Sequence, residues 1–183
     1  MGIGGDILYN LKSMRKIIGR AAVVLVLLCA SVLVYKIVVK VNRKKECERL
    51  TQALPAYTFT LAHGGTMHTK SLEDKPTAVM FFNPGCEHCE YEGEALSANS
   101  GSLKEKEILM VSLSPRDSIK AYAKRHRLER IPNIHFATDS LAKATILFGV
   151  QSIPTTFVYG SDGKLRKRFN GEVSIKALLR ELR

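Results

Sequence analysis

Hydrophobic positions divide the chain into one long apolar segment near the N-terminus and a series of short apolar runs after it. The long segment covers residues 21–39 and contains a single charge, Lys36. At about 1.5 Å per residue, a helix of this length crosses the hydrocarbon core of a bilayer. No small-x-small cleavage site follows the apolar run, so we predict an uncleaved transmembrane signal anchor. Residues 1–20 then form a basic tail and residues 40–56 a charged stalk.

From residue 57 onward, short apolar runs alternate with amphipathic stretches, as strands and helices do in an α/β domain. The runs predicted as strands cover residues 58–61, 77–82, 107–113, 134–137, 155–159 and 165–169. The last two flank the turn sequence Ser-Asp-Gly, which predicts a hairpin. Helices are predicted after the second, third and fourth strands and at the C-terminus. We therefore expect a central sheet covered by helices on both faces over residues 57–183.

The net charge of +11 is concentrated around the long apolar segment. Residues 1–49 carry ten Lys and Arg against three Asp and Glu, which gives +7, and residues 50–183 carry +4. Basic groups beside an apolar helix bind anionic phospholipid headgroups, so we expect a lipid bilayer as a partner and no nucleic acid. Basic residues flank both ends of the segment, so the positive-inside rule does not favour an outward-facing C-terminal domain.

Two cysteines, Cys86 and Cys89, lie directly after the apolar run at residues 77–82 and directly before a stretch that can be helical. This order places Cys86 at a helix N-terminus, where unpaired N–H groups and the helix dipole stabilise the nucleophilic thiolate. The spacing also lets Cys89 reach Cys86 within one helical turn. The pattern predicts a dithiol/disulfide redox pair.

Other interpretations of the cysteines are weaker. A structural zinc site needs four ligands, and the chain has no second CxxC and only scattered histidines. A purely structural disulfide between Cys86 and Cys89 would close almost no loop and so would add little stability. Cys29, within the apolar segment, is expected to be a buried apolar filler. Cys47, in the predicted stalk, either pairs with another chain or is an incidental free thiol.

Two motifs make residues 57–183 resemble the thioredoxin superfamily. The first is Phe-Phe-x-x-x-Cys-x-x-Cys-x-x-Glu over residues 81–92, and the second is Gly-Val-x-x-Ile-Pro-Thr-Thr-Phe-Val over residues 149–158. Together they resemble most closely the membrane-tethered TlpA/ResA-like thiol-disulfide oxidoreductases. The resemblance implies a thioredoxin-like fold, in which a central mixed sheet is flanked by helices. This domain would follow the N-terminal transmembrane helix along the chain.

The resemblance also implies site residues. A cis peptide at Ile153–Pro154 would face the active-site disulfide and present the Ile153 backbone to an extended substrate strand. Glu92, three residues after the second cysteine, would accept and return the proton of the Cys89 thiol. The alternative for Glu92 is a first-turn glutamate favoured by the helix dipole.

Residues beside the first cysteine are expected to contact substrate, namely Gly85 and His88. Gly85 stands where cytoplasmic thioredoxins carry a tryptophan, and Met80 stands where they carry a buried acid; this chain has no tryptophan. A protonated His88 near the Cys86 thiolate would make the couple more oxidising, whereas the glutamates around it act the other way. The direction of electron flow therefore stays open.

The function implied is disulfide exchange in extracytoplasmic proteins, with a membrane electron donor and no cofactor or metal beyond the cysteine pair. The chain is expected to be a single-pass protein of the cell (inner) membrane with its catalytic domain facing the periplasm, where disulfides persist. Two alternatives remain. A thioredoxin-fold metal chaperone usually has a wider CxxxC, and a peroxiredoxin-like peroxidase needs Pro-x-x-x-Thr-x-x-Cys, whereas Pro76-Thr77 lies too far from Cys86.

Overall fold

The structure is a computed structural model that describes the backbone of residues 3–183 and the side chains of residues 27–183. It divides into two compact units, one ending at Lys45 and the other covering Glu46–Arg183. Helix α1 (Ile3–Leu50) forms the first unit and continues into the second. Its large apolar side chains between Leu27 and Val41 are exposed to solvent.

The predicted anchor covers residues 21–39, and the side chains of its first part, residues 21–26, are outside those that the structure describes. Within the described part of the chain, no helix has a stretch that is both long enough and apolar enough to cross a membrane.

Within the described residues, one sheet of seven strands forms the centre of the second unit, in the order β2-β1-β5-β4-β3-β6-β7. The strands are β1 (Thr58–Leu61), β2 (Thr66–His68), β3 (Thr77–Phe81), β4 (Glu107–Ser112), β5 (Ile134–Thr138), β6 (Thr155–Tyr159) and β7 (Leu165–Asn170). Neighbours β3, β4 and β5 are parallel, and the other pairs are antiparallel. The predicted mixed sheet is confirmed.

Helices cover both faces of this sheet. They are α2 (Glu87–Ala98), α3 (Arg116–Arg125), α4 (Lys143–Leu147) and α5 (Ile175–Glu181). Strand β3 explains the arrangement, because its side chains alternate between two cores: Met80 packs with residues of α2, α3 and α5, and Phe81 packs with Phe148 beyond α4 and with Phe157. A strand buried on both faces needs apolar residues throughout, which is why residues 77–82 form an unbroken apolar run.

Local hydrogen bonds fix the ends of several helices. The Asp139 carboxylate accepts hydrogen bonds from the backbone N–H groups of Ala144 and Thr145, so it caps α4 as the sequence predicts. The Ser174 hydroxyl accepts from the Ala177 N–H at the start of α5. These caps hold the helices that follow β5 and β7.

Contacts within the second unit begin before residue 57, in the segment that precedes β1. Ala53 forms a β-bridge with Lys164, and the Leu54 N–H donates to the Gly163 carbonyl at 2.8 Å. Cys47, a free thiol, packs closely against Gly149. The segment between α1 and β1 is therefore hydrogen-bonded to the β6–β7 turn.

Candidate active site

The CxxC motif lies in the turn between β3 and α2. Asn83 shapes this turn, because its side-chain oxygen accepts from the Gly85 N–H at 2.8 Å and its carbonyl accepts from the Cys86 N–H at 3.0 Å. Cys86 has an extended backbone and is the residue that precedes the first turn of α2, as predicted. Gly85 is exposed beside it. The first cysteine therefore lies where a helix N-terminus stabilises a thiolate.

The two cysteines lie close together but differ in accessibility. Both are free thiols; Cys86 is half-buried, whereas Cys89 has no exposed surface. Burial raises the pKa of the Cys89 thiol, and the proximity of Cys86 and Glu92 raises it further, against a backbone hydrogen bond from Asn83. Cys86 is thus the thiol that a macromolecule can reach, and Cys89 needs an internal base to become a thiolate.

Glu92 lies one turn after Cys89 on α2 and is only 3% exposed. Its Oε1 accepts a hydrogen bond from the Val173 N–H at 2.9 Å, and among the described residues its buried Oε2 has no partner. The pKa of Glu92 is raised to about 7, chiefly by burial and also by the nearby charge of Glu172, while the Val173 hydrogen bond and His88 oppose the rise. A carboxyl group in this state accepts and releases protons near neutral pH.

The cis-proline loop faces the same end of the sheet. The Ile153–Pro154 peptide is cis, which confirms the expectation from the resemblance. Pairing of Phe81 with Thr155 across β3 and β6 places Pro154 beside the turn that carries the cysteines. Ile153 is 38% exposed, whereas Pro154 is buried. The exposed Ile153 therefore lies near the turn that carries Cys86.

His88, between the two cysteines, lies at the rim of the site. Its Nδ1 is 2.8 Å from the Glu172 Oε2, and both side chains are substantially exposed. This pair links the first turn of α2 to the loop that joins β7 and α5. Sequence reasoning included His88 but gave no indication of its partner.

Helix α3 contacts the motif from the opposite side, which sequence reasoning did not predict. The Tyr122 hydroxyl donates to the Cys89 carbonyl at 2.5 Å, and Tyr122 is fully buried. Gly93 permits this approach, because a Cβ there would collide with the Tyr122 hydroxyl and lie 2.9 Å from the His126 ring. The buried face of α3 was predictable from its periodicity, but the hydrogen bond to the motif was not.

A second set of contacts from α3 holds the motif on both sides of the cysteines. Arg125 donates twice to the Glu90 carboxylate and once to the Pro84 carbonyl, at 3.3 Å. The His126 Nε2 lies 2.8 Å from a Glu90 oxygen. Burial would raise the pKa of Glu90, but these hydrogen bonds outweigh it and hold the pKa below its ordinary value. Arg125 thereby ties the turn before Cys86 to the helix after Cys89.

The structure brings all of the sequence-predicted site residues to one end of the sheet. They are Gly85, Cys86, His88, Cys89, Glu92, Ile153 and Pro154. The residues that sequence reasoning missed are Tyr122, Arg125, His126, Glu172 and Val173. Within the described residues, no group of three or more His, Cys, Asp or Glu side chains is arranged to hold a metal ion.

Comparison with known proteins agrees with this architecture. The chain is 24% identical over 131 residues to the thiol-disulfide oxidoreductase ResA of Bacillus cereus (strain ZK / E33L), covering 70% of this chain and 73% of that protein. ResA of Bacillus anthracis gives the same identity and coverage. These relatives support the resemblance to ResA-like oxidoreductases that the two motifs indicate.

Solved structures share the fold. A secreted Mycobacterium tuberculosis disulfide oxidoreductase homologous to E. coli DsbE superposes with a TM-score of 0.62 at 20% identity, covering 74% of this chain and 96% of that one. A putative thioredoxin from Neisseria meningitidis superposes with a TM-score of 0.59 at 27% identity, covering 72% and 87%. The AhpC/TSA family matches residues 50–168, and the chain belongs to that thioredoxin-like family.

Proposed function

We propose that this protein is a thiol-disulfide oxidoreductase that exchanges disulfides in extracytoplasmic proteins while tethered to a membrane. The observation that carries the proposal is the contrast within one helical turn between Cys86, which is accessible at a helix N-terminus, and Cys89, which is buried beside Glu92. That contrast is what a sequential two-thiol reaction requires. The similarity to ResA proteins supports the same reaction class.

In the first step, the Cys86 thiolate attacks one sulfur of a substrate disulfide. A new bond forms between Cys86 and that sulfur, the substrate S–S bond breaks, and the other substrate sulfur leaves as a thiolate. The helix N-terminus favours the attacking thiolate. Because Cys89 has no exposed surface, it does not compete for the substrate.

In the second step, the Cys89 thiol gives its proton to Glu92 and attacks the Cys86 sulfur. The mixed disulfide breaks, the second substrate thiolate leaves, and a Cys86–Cys89 disulfide remains, so the substrate has gained two electrons. Glu92 suits this role because it is buried next to Cys89, has a partnerless oxygen among the described residues and has a pKa of about 7. The same steps in reverse oxidise a substrate dithiol.

The substrate strand is proposed to lie along Ile153, which is exposed next to the buried Pro154, with Gly85 and His88 at its edges. Main-chain hydrogen bonds of this kind bind extended peptides with little dependence on their sequence. Pro154, buried behind Ile153, would keep this segment in place.

Membrane attachment is proposed to occur through residues 21–39, with a membrane electron donor restoring the dithiol. The apolar composition of this segment and its basic flanks support attachment. An extracytoplasmic site supports the chemistry, because disulfides persist there. Extraction tests this part: the full-length chain should stay with membranes in high salt and at alkaline pH, and release by salt would contradict it.

The reaction is tested with Cys86→Ser and Cys89→Ser in a protein-disulfide reductase assay. Cys86→Ser should abolish turnover, and Cys89→Ser should accumulate a mixed disulfide with the substrate because the resolving thiol is gone. Retained turnover in Cys86→Ser would contradict the proposal. Peroxide consumption that survives Cys89→Ser would instead favour the peroxidase alternative.

A further inference from the structure

The loop between β7 and α5, residues 171–173, contacts three separate parts of the site. Each of its residues makes one polar contact: Gly171 with Pro154, Glu172 with His88 and Val173 with Glu92. The contacted groups lie on the cis-proline loop, between the two cysteines and one turn after Cys89. No other loop in the described part of the chain makes polar contacts with all three.

The two ends of this loop are held by the body of the domain. The Gly171 N–H donates to the Pro154 carbonyl at 2.8 Å, and Gly171 has φ +95°, a conformation that favours glycine. Val173 is buried in the core that also contains residues of α2 and α5. Glu172, between them, projects into solvent and is fastened by His88 alone among the described residues, at 2.8 Å.

We propose that Glu172 is a positioning residue for the resolving step: its ion pair with His88 holds residues 171–173 against α2 and keeps the Val173 N–H on the Glu92 carboxylate. This inference rests on the proposed role of Glu92 as the proton acceptor for Cys89. It adds a residue that acts through another, since Glu172 contacts neither cysteine.

The placement of the Val173 hydrogen bond determines which Glu92 oxygen is available. Oε1 already accepts from Val173 at 2.9 Å, so Oε2, which has no partner among the described residues, is left to take the Cys89 proton. If the loop moves away, both oxygens become equivalent and the ionised carboxylate loses its hydrogen bond. The resolving step would then lose its directed acceptor.

The charges around Glu92 make the inference testable by sign. On its own helix it faces Cys89 and His88, from the 171–173 loop it faces Glu172, and from α3 it faces Tyr122. Glu172 raises the pKa of Glu92 and His88 lowers it. If charge alone acted, removing Glu172 would lower the pKa of Glu92 and removing His88 would raise it. Loss of the Val173 hydrogen bond, which holds the pKa of Glu92 down, would instead raise it in both variants.

The experiment measures the resolving step directly, in a full-length background that carries Cys29→Ser and Cys47→Ser. The reduced protein is mixed with the aromatic disulfide dithiobis(nitrobenzoate). Attack by the Cys86 thiolate on this disulfide releases a first thionitrobenzoate. Attack by Cys89 then releases a second, whose rate is followed against pH. Glu172→Ala and His88→Ala should both raise the pH midpoint of that rate, by about half a pH unit, because either change frees the loop and weakens the Val173 hydrogen bond to Glu92.

Two controls make the result specific. Glu87→Gln removes a nearby carboxylate that accepts a hydrogen bond from Tyr91 rather than from His88. It should leave the pH midpoint unchanged. The double variant Glu172→Ala/His88→Ala should raise the midpoint about as much as the single variants do, because the same contact is broken in all three. Shifts of opposite sign in the two single variants, which charge alone would give, no shift in either, or an equal shift in Glu87→Gln would overturn the inference.

Failure of the underlying function gives a different result. If Glu92→Gln leaves the pH dependence of the second release intact, Glu92 is not the proton acceptor, and the role of Glu172 falls with it. If Glu92→Gln removes that dependence while Glu172→Ala and His88→Ala leave it unchanged, only the positioning role is wrong.

Discussion

The two sides of α2 carry glutamates in opposite states. On the side that faces α3, Glu90 is bonded by Arg125 and His126, and its pKa lies below the ordinary value. On the side that faces the 171–173 loop, Glu92 receives one hydrogen bond from Val173, and burial raises its pKa to about 7. Two carboxylates a short distance apart on one helix thus have pKa values shifted in opposite directions by their surroundings.

The difference teaches how a redox helix combines rigidity with reactivity. The side toward α3 satisfies its polar groups and fixes the turn before Cys86 against the helix after Cys89, through Arg125. The other side leaves a buried carboxyl oxygen without a partner among the described residues, which costs free energy and is typical of functional sites. Changes on the two sides should therefore affect different quantities.

The largest expected effect comes from Glu92→Gln. Gln keeps the shape of the side chain but cannot accept the Cys89 proton, so the resolving step should slow by about 10²–10⁴-fold near neutral pH. The matched variant Glu90→Gln removes a carboxylate from the other side and should slow resolution far less. Release of the second thionitrobenzoate measures both, and equal slowing in the two variants would remove the distinction between the sides.

Glu92 should also make folding stability depend on pH. Its folded pKa of about 7 lies above its ordinary value of 4.5, so as pH rises the unfolded chain loses this proton first. The stabilising contribution is therefore complete below about pH 4.5 and is lost as pH rises to about 7, an effect of about 3 kcal/mol. Urea unfolding of the parent and of Glu92→Gln is measured across this pH range. The difference between their free energies of unfolding isolates the contribution of Glu92. A difference that does not change with pH would show that folding does not raise the pKa of Glu92.

Gly93→Ala should damage the side that faces α3. The added methyl group meets the Tyr122 hydroxyl and the His126 ring, and the crowding outweighs the better helix propensity of alanine. We expect a net loss of about 1–2 kcal/mol in the free energy of unfolding. Gly101→Ala is the control, because a Cβ at Gly101 has no atom within 4 Å in the described structure. Similar losses in both variants would mean that α3 does not press on α2 at Gly93.

The smallest effect is expected from Tyr122→Phe, which removes only the hydroxyl that donates to the Cys89 carbonyl. Loss of one such hydrogen bond costs about 0.5–1.5 kcal/mol of unfolding free energy. Tyr91→Phe provides the comparison, because the exposed Tyr91 bonds Glu87 at the surface and its loss should be near neutral. Chemical denaturation of both variants is sufficient to test this ranking.

Sequence reasoning predicted the parts of the site that are close together along the chain. The strand, turn and helix around Cys86 and Cys89 follow from local pattern, and the resemblance supplied the cis Ile153–Pro154 bond. The contacts it missed join residues far apart: 33 positions separate Tyr122 from Cys89, and 84 separate Glu172 from His88. Such pairs depend on how helices and loops pack around the sheet, which hydrophobic periodicity does not specify.

The side toward α3 shows the same limit from another direction. The spacing of Tyr122 and His126, one helical turn apart, places both on one face of α3, and both are buried. That spacing does not show that their polar atoms reach the backbone of Cys89 and the carboxylate of Glu90. The hydrogen-bond partner of a buried polar atom is determined by the tertiary packing around it. Gly93 was likewise unremarkable in sequence, although it makes room for both rings.

The central claim is that Cys86 is the attacking thiol and Cys89 the protected, resolving one. Mapping of alkylation by mass spectrometry tests it most directly, with the reduced, folded full-length protein exposed briefly to iodoacetamide and each cysteine quantified. Cys86 should be modified first, and Cys89 should stay unmodified until the protein is unfolded in denaturant, because it has no exposed surface and burial raises its pKa. Modification of Cys89 as fast as Cys86 in the folded protein would contradict the account.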